Sequence, residues 1–443
     1  RDRGHYTVIG VRTDGQAFRS PDLIHWFDAR GRPLSRSPDM RDRWTGGFPL
    51  WPRDDHVYCH ARHNGVHHLH ANGIFHGTAA AATGPYRAIE TFAPGIDPFV
   101  FRDEDGRFYF YSMVHVPHRK DPRHWGNVIW GQPMTDPGTF AGTRKRLLHA
   151  SPTRPWEVRD HRIAEGPFVV RARGRCHILY CTNHTHHLLG NYAIGVAVAD
   201  DPLGFSVADA RPQPVLKDNR AEQKHCYRPI APGVEAEGGP PEVRISAEPP
   251  PREWTDPEFD DSGWRRGLAG IGHVRPLLGK VKRAAGRSRV FPENTHWAGS
   301  RFWARRVFVL DDLPERPLAL LVRHAGTVTV FLNGTEIYRS TGWLRKPCYL
   351  APAPEARAAL RTGRNCLAIH CQRPDRPVYA DAGLYEQRSE KPVPYFYNAG
   401  QPNLIRGPNG FEWWLVYFGI WHGSRHARGV DRVHFHNRSL FVN

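Results

Sequence analysis

The chain has 443 residues, of which 40% are hydrophobic and 24% are charged, so it has a globular composition and room for two or three domains. No apolar run approaches the roughly 18 residues of a membrane-spanning helix, which excludes a protein anchored by such helices. The net charge is +17, but the arginines are spread along the chain, and a phosphate-binding face needs clusters. We therefore expect neither a nucleic-acid partner nor a membrane partner.

One strand pattern recurs along the chain. A glycine-containing turn precedes four to six residues whose aromatic or β-branched side chains alternate, and the copies begin at Gly4, Gly65, Gly106, Gly174 and Gly410. Such alternation between turns is typical of β-strands. The first three spacings suit four-stranded blades of a β-propeller, whereas the last one, 236 residues, is far too long for one blade.

The long spacing indicates an inserted domain. Glu237–Pro241 and Pro249–Arg252 are rich in proline and glycine, as linkers are, and Arg388–Pro394 closes the interruption. Between them lie alternating strands such as Phe302–Val309 and a hairpin whose turn is Asn333-Gly334, the strongest short signal for a hairpin. These elements predict a β-sandwich.

We therefore predict an all-β fold, a five-bladed β-propeller interrupted by a jelly-roll β-sandwich. The first part of the propeller covers residues 1–240, the sandwich covers 246–388, and the last blade covers 392–443. The seven cysteines form no CxxC pair and no regular framework, so they indicate no redox compartment. The apolar alternation starts within five residues of Arg1, and we expect this chain to be a segment of a longer protein.

Three motifs resemble glycoside hydrolase family 43. Ile96–Gly106, with Asp97 before proline, resembles the motif that carries the second catalytic-site aspartate of that family. Ala164–Val170 resembles its general-acid motif, a glutamate before Gly-Pro at the start of an innermost strand. Glu412–Phe418, followed by Asp431–Phe435, resembles its fifth blade. The motifs occur in the family's order, and the resemblance covers roughly residues 1–235 and 394–443, about two thirds of the chain.

The resemblance implies an inverting glycosidase. Such an enzyme needs a general acid and, on the other side of the sugar, a carboxylate that activates water. By motif, Glu165 is the acid and Asp97 orients it and tunes its pKa. The general base would be an aspartate upstream of Arg1, because the nearest carboxylate, Asp2, lacks a following proline and is interpreted as a turn residue. The structural alternatives are a Glu165 that ends a strand or pairs with an arginine, and an Asp97 that opens a turn.

The resemblance further implies substrates and ligands. Terminal α-L-arabinofuranosyl or β-D-xylosyl residues of plant polysaccharides are the expected substrates. Trp51, Trp156 and Arg425 are candidates for sugar contacts, with blade packing or an exposed surface position as the alternative. No cofactor is required. The family often has Gly-His in the last blade, whereas this chain has Gly400-Gln401, whose amide oxygen could face a structural calcium ion at the propeller axis.

Histidine runs at residues 67–70 and 184–187 are interpreted as strand or loop residues, because no third ligand at a fixed spacing accompanies them, and we assign no metal ligand. The inserted segment resembles galactose-binding-like jelly-roll modules through FDDSGW (259–264), VFLNG (330–334) and GRNCLAI (363–369). This second resemblance predicts a fold but no function.

Two other functions stay open, a carbohydrate-binding propeller without catalysis and a propeller glycosidase of another family. The fructan hydrolases have a Glu-Cys motif where this chain has Glu165-Gly166, which argues against them. We expect a protein secreted by bacteria or exported to their periplasm, although the segment contains no signal peptide. The sequence predicts no oligomeric state.

Overall fold

The computed structural model describes residues 6–9, 17–33, 57–117, 120, 126–273, 292–342, 349–388, 396–421 and 427–442, apart from 23, 24, 29, 72, 73, 82–85, 160, 186–190, 375, 437 and 438. Within these ranges the chain forms seven β-sheets, and its helices are short. The predicted all-β class is confirmed. None of the described helices is long and apolar enough to cross a membrane.

Four sheets precede residue 220, and their strands form antiparallel meanders, the arrangement of a propeller blade, although in the third sheet the last two strands both pair with the same strand. We number them blades 1 to 4. Their strands are β1 (Tyr6–Ile9) and β2 (Ala17–Ser20) in blade 1; β3 (Val57–His63), β4 (Val66–Ala71), β5 (Phe75–Ala79) and β6 (Arg87–Thr91) in blade 2; β7 (Ile96–Arg102), β8 (Phe108–Val116), β9 (Gly126–Asp136), β10 (Thr139–Phe140) and β11 (Lys145–His149) in blade 3; and β12 (Ala164–Ala172), β13 (Arg175–Thr182) and β14 (Ala193–Ala199) in blade 4.

A pair of six-stranded sheets follows, which we call the two-sheet unit. Its strands are β15 (Tyr227–Ala231), β16 (Glu242–Ser246), β17 (Arg265–Leu268), β18 (Ile271–Gly272), β19 (Thr295–His296), β20 (Arg301–Leu310), β21 (Leu318–Ala325), β22 (Thr327–Leu332), β23 (Thr335–Ser340), β24 (Tyr349–Leu350), β25 (Gly363–Gln372) and β26 (Tyr379–Gln387). The helices are α1 (Arg220–His225) and α2 (Ala356–Ala359), with 3₁₀ turns at Pro155–Glu157, Val207–Asp209 and Arg252–Thr255.

The two sheets of this unit share one apolar core. Phe302 and Val330 from one sheet pack in the same buried cluster as Leu320 and Leu384 from the other. Residues two apart on a strand point to the same face of its sheet, so alternate apolar residues of each sheet can point into the shared core. Two sheets over one core have the layered form that a sandwich requires, while the likeness to galactose-binding-like modules stays a prediction.

The strand pairing starts this unit earlier than the composition indicates. β15 pairs with β26, so residues 227–231 belong to the two-sheet unit although they fall inside the predicted propeller range of 1–240. β16, which ends at Ser246, pairs with β17 and β20. The stretch Glu237–Pro241 is therefore a loop between two strands of the unit, and its proline and glycine do not mark the boundary.

The last sheet, blade 5, contains β27 (Phe396–Arg406), β28 (Trp413–Trp421), β29 (Ala427–His436) and β30 (Ser439–Val442). The chain leaves blade 4 and enters blade 5 at one place, because Asn219 Oδ1 accepts a hydrogen bond from Phe396 N at 2.9 Å and Asn219 N donates to Phe396 O at 3.2 Å. Side chains of the two blades then form a common core, including Leu179 and Leu415. This packing sets β12 beside β27.

Candidate active site

Three innermost strands share the same backbone conformation at one position. Asp97 in β7, Gly166 in β12 and Gln401 in β27 all have a positive φ, of 55°, 59° and 49°, and each is followed by proline. At each of them the register with the next strand shifts, which is the mark of a β-bulge. A bulge turns a residue out of the ladder, and proline is tolerated there because no ladder hydrogen bond is lost.

The three bulges meet at one place. Gly166 N donates a hydrogen bond to Asp97 Oδ2 at 2.9 Å, and Asp97 is buried. A Cβ on Gly166 would stand only 2.9 Å from Gln401 Oε1, so the glutamine amide lies directly against the glycine. The backbone therefore brings the Asp97 carboxylate to the residue that follows Glu165.

Glu165 is held by two donors. Tyr192 Oη donates to Oε1 at 2.7 Å, and Asn127 Nδ2 donates to Oε2 at 3.3 Å. Glu165 is partly exposed, and within the described chain no cation pairs with it. The arginine-paired alternative therefore does not occur among these residues.

The electrostatic surroundings of Glu165 favour its protonated form. Desolvation of the carboxyl group, followed by the negative charge of Asp97, raises the pKa of Glu165 to about 7, while the hydrogen bonds from Tyr192 and Asn127 act in the opposite direction. A carboxyl group with a pKa near neutrality can both carry a proton and release it, as a general acid must.

Tyr192 and Asn127 are site residues that the sequence analysis did not identify. The Tyr192 ring is buried and stacks on Phe418, with ring centroids 5.7 Å apart. It has room because of Gly400, where a Cβ would come within 1.9 Å of the ring. Asn127 is fixed at the start of β9, where its N–H donates to Arg162 O at 3.0 Å. No local pattern distinguishes either residue from a core tyrosine or a strand-end asparagine.

The other predicted site residues are placed as follows. Trp51, Arg425 and Asp2 lie outside the described residues. Trp156 is 8% exposed within a core shared by blades 3 and 4, and its Nε1 donates to Pro212 O at 2.8 Å. This is the position expected of the blade-packing alternative.

The histidines of blade 2 contact one another. His68 Nδ1 lies 3.0 Å from His76 Nε2, and His70 Nε2 donates to Pro137 O at 2.9 Å. In the described part of the chain no group of three or more histidine, cysteine or carboxylate side chains has an arrangement that could hold a metal ion. Strand histidines remain our interpretation of this run.

The sequence left a structural calcium ion at the axis possible but assigned no metal, and this point stays open. Calcium takes roughly six to eight oxygen ligands. At the bulges Gln401 Oε1 lies against Gly166, and one oxygen of Asp97 already accepts the N–H of that glycine. The described side chains do not make such a ligand set here, and the mechanism below uses no metal.

Comparisons with known proteins identify the family of this chain. The family model of the glycosyl hydrolases family 43 matches residues 3–230, just over half of the chain. The chain therefore belongs to glycoside hydrolase family 43.

Two curated relatives and one solved structure are similar to it. The chain is 26% identical over 144 residues to an extracellular exo-α-(1→5)-L-arabinofuranosidase of Streptomyces chartreusis, a match that covers 31% of this chain and 39% of that protein. It is 27% identical over 179 residues to xylosidase/arabinosidase 43B of Humicola insolens, covering 37% and 30%. The chain thus spans well under half the length of these relatives. A thermostable family-43 glycoside hydrolase matches with 14% identity and a TM-score of 0.47 over 100% of this chain and 90% of its own.

Proposed function

We propose that this protein hydrolyses O-glycosidic bonds and releases terminal α-L-arabinofuranosyl or β-D-xylosyl residues from plant polysaccharides, with inversion at the anomeric carbon. The observation that carries the proposal is the juxtaposition of two carboxyl groups, in which buried Asp97 accepts a hydrogen bond from the residue after Glu165 and its negative charge helps to raise the pKa of Glu165. The names of the two curated relatives support the arabinose and xylose specificity.

Glu165 is the general acid of the proposed reaction. Its carboxyl proton passes to the glycosidic oxygen while the bond from that oxygen to the anomeric carbon breaks, so the leaving group departs as a neutral alcohol. Water attacks the same carbon from the opposite face and loses its proton to the base, the aspartate that we place upstream of Arg1. The two steps together consume one water and invert the configuration.

The neighbours of Glu165 act on different stages. Asp97 disfavours the ionised acid before the reaction, because two negative charges repel each other in a poorly solvated site. Tyr192 and Asn127 hold the carboxyl group in one orientation and stabilise the carboxylate left after proton transfer. The site thus favours the protonated form of Glu165 before the reaction and stabilises its carboxylate after the proton has been transferred.

Two further properties belong to this proposal. One curated relative is described as extracellular, and we propose that this protein is likewise secreted or exported in bacteria. We also propose that the two-sheet unit is a galactose-binding-like module, because its sheets share one core and its sequence has the three motifs of such modules.

The test is hydrolysis of an aryl-glycoside panel by the native protein and by Glu165→Gln. The panel contains arabinofuranosides, xylosides, galactosides and fructosides with good and poor leaving groups, because an activated leaving group needs little protonation. We expect one pentoside to be hydrolysed and the variant to lose about 10² to 10⁴-fold on the poor leaving group. Glu248→Gln, which changes an exposed glutamate of the two-sheet unit, is the matched control.

The configuration of the first product, followed by proton NMR, tests inversion separately. Retention of configuration, or hydrolysis of the fructoside alone, would contradict the proposal in favour of another propeller family. Sugar binding without any turnover by the native protein would instead favour the carbohydrate-binding propeller.

A further inference from the structure

A second cleft lies on the face of the propeller opposite Glu165. It has a volume of about 440 Å³ and lies between the β12–β13 turn of blade 4 and the β27–β28 turn of blade 5, with the β7–β8 turn at its edge. Glu165 is the second residue of β12, and Arg173 follows its last residue. Eight residues of extended strand separate them by roughly 26 Å, so this cleft is distinct from the candidate active site.

An aromatic side chain stands exposed at this cleft. Phe411 is 84% exposed, more than any other large apolar side chain of the described residues. Its backbone is nevertheless fixed, because its N–H donates to Asn409 Oδ1 at 3.0 Å and its carbonyl oxygen accepts from Arg406 Nη1 at 3.0 Å. The turn therefore presents the ring to solvent from a hydrogen-bonded backbone, which lowers the entropic cost of ordering the backbone when a ligand binds.

Arginines line the same cleft as this ring. The Arg406 guanidinium lies 3.9 Å from the centre of the Trp413 ring and is thereby oriented. Arg432, 61% exposed in its side chain, lies 3.5 Å from Glu412. Arg173 is exposed and makes no ion pair within the described residues.

The charge balance of the cleft is positive. Arg171 is neutralised by Asp103 through two hydrogen bonds, at 2.5 and 2.7 Å. Three other arginines line the cleft, whereas the carboxylates that line it are Glu104 and Glu412. A guanidinium binds a carboxylate through two parallel hydrogen bonds, and an exposed aromatic ring binds the apolar face of a sugar.

We propose that this cleft binds a carboxylated carbohydrate, a polysaccharide chain that bears uronic acid groups, with Phe411 against a sugar ring and Arg173 and Arg406 facing the carboxylate. An inorganic anion would use the arginines but not the ring. A nucleic acid would require a longer run of cations than the cleft provides. The site would hold an acidic polysaccharide on the propeller at a distance from the bond that is cleaved, and it does not depend on the proposed hydrolysis.

Affinity electrophoresis of the whole chain tests this proposal. Glu165→Gln is the parent protein, so that the polymer is not consumed, and the gel contains either glucuronoxylan or the same polymer after chemical reduction of its carboxyl groups. We expect retardation by the carboxylated polymer, and an affinity about tenfold weaker after Phe411→Ala or Arg173→Ala. Phe441→Ala is the matched control, because Phe441 is also an exposed phenylalanine of blade 5 beside an arginine, Arg211, but lies outside the cleft.

Three outcomes would overturn the proposal. They are equal retardation by the reduced polymer, equal losses in Phe441→Ala and Phe411→Ala, and complete displacement of the polymer by inorganic phosphate at an ionic strength where chloride displaces none. Failure of the proposed hydrolysis is distinguishable from these, because it appears in the aryl-glycoside assay of the native protein. We expect Phe411→Ala in the native background to leave that assay unchanged.

Discussion

Glu165 of blade 4 and Glu157 of the 3₁₀ turn before it each accept a hydrogen bond from a buried tyrosine, but their charged neighbours have opposite signs. Tyr180 Oη donates to Glu157 Oε1 at 2.6 Å, and Tyr192 Oη donates to Glu165 Oε1 at 2.7 Å, and both tyrosines are buried. The difference lies in the third partner. Glu157 pairs with a cation, Arg154, at 2.7 Å, whereas the charged neighbour of Glu165 is an anion.

The comparison separates a structural carboxylate from a reactive one. Glu157 is fully buried, and Ser151 N also donates to it at 2.7 Å, so its charge is matched by donors and a counter-charge. Glu165 keeps part of its surface open, and its surroundings raise its pKa to about 7. A compensated carboxylate anchors the fold, whereas an uncompensated one at an accessible place can exchange its proton.

The largest expected effects are a loss of activity in Glu165→Gln and a loss of stability in Glu157→Gln. Glu165→Gln should lose about 10² to 10⁴-fold in activity on a poor leaving group, because the proton donor is absent, with little change in stability. Glu157→Gln should lower the free energy of unfolding by about 3 to 5 kcal/mol, because it leaves the Arg154 guanidinium buried without its counter-charge, while the folded fraction keeps its activity. Urea unfolding and steady-state kinetics measure the two quantities.

If Glu157→Gln did not fold, neither its stability nor its activity could be measured. Arg154→Met is therefore measured beside Glu157→Gln, and the double variant should recover part of the loss, since removing both charges avoids an unpaired one. If Glu165→Gln destabilised the protein as much as Glu157→Gln, the distinction between the two glutamates would be wrong.

The proposed acid was accessible from sequence because its motif is local. Glu165-Gly166-Pro167 and Asp97-Pro98 each place proline directly after the residue that turns out of the strand, and the structure shows a bulge with positive φ at both. That the two carboxyl groups lie near each other was implied by the resemblance to family 43. The hydrogen bond from Gly166 N to Asp97 could not be predicted from the sequence.

The supporting residues were not accessible in this way. Asn127 lies 38 residues before Glu165 and Tyr192 lies 27 after it, and their contacts depend on how β9, β12 and the residue before β14 lie beside one another. The start of the two-sheet unit also escaped prediction, because a proline- and glycine-rich loop inside a domain has the same composition as a linker. Pairing of β15 with β26 is a long-range contact that composition does not record.

The next largest effect concerns the anion beside Glu165. Asp97→Asn keeps an oxygen that can accept the Gly166 N–H but removes the negative charge that raises the pKa of Glu165. Because the acid works when protonated, a lower pKa moves the alkaline limb of the kcat/KM profile to lower pH. We expect about tenfold less activity at neutral pH and recovery on acidification.

The pH profile distinguishes this effect from a loss of structure. A variant with a uniformly reduced profile and an unmoved alkaline limb would show that Asp97 positions Glu165 without tuning it. A limb that moved to higher pH would contradict the electrostatic argument outright.

A smaller effect is expected from the two tyrosines. Tyr192→Phe removes a donor that favours the ionised form of Glu165, so the pKa should rise further and the alkaline limb should move to higher pH. Tyr180→Phe removes the matching donor from Glu157 and should cost about 1 to 3 kcal/mol of stability, with the limb unmoved. An alkaline limb that stayed in place in Tyr192→Phe would contradict its action on Glu165, and an unchanged stability of Tyr180→Phe would contradict its action on Glu157.

The smallest effect should follow from Asn127→Ala. Its hydrogen bond to Glu165 is 3.3 Å long, against 2.7 Å for that of Tyr192, so its removal should move the alkaline limb in the same direction but less far. Since both donors bind the same carboxylate, the shift in the double variant Asn127→Ala/Tyr192→Phe should differ from the sum of the single shifts. Strict additivity in the kcat/KM profiles would mean that the two residues act independently, and the carboxyl group of Glu165 would then not be the point where their effects meet.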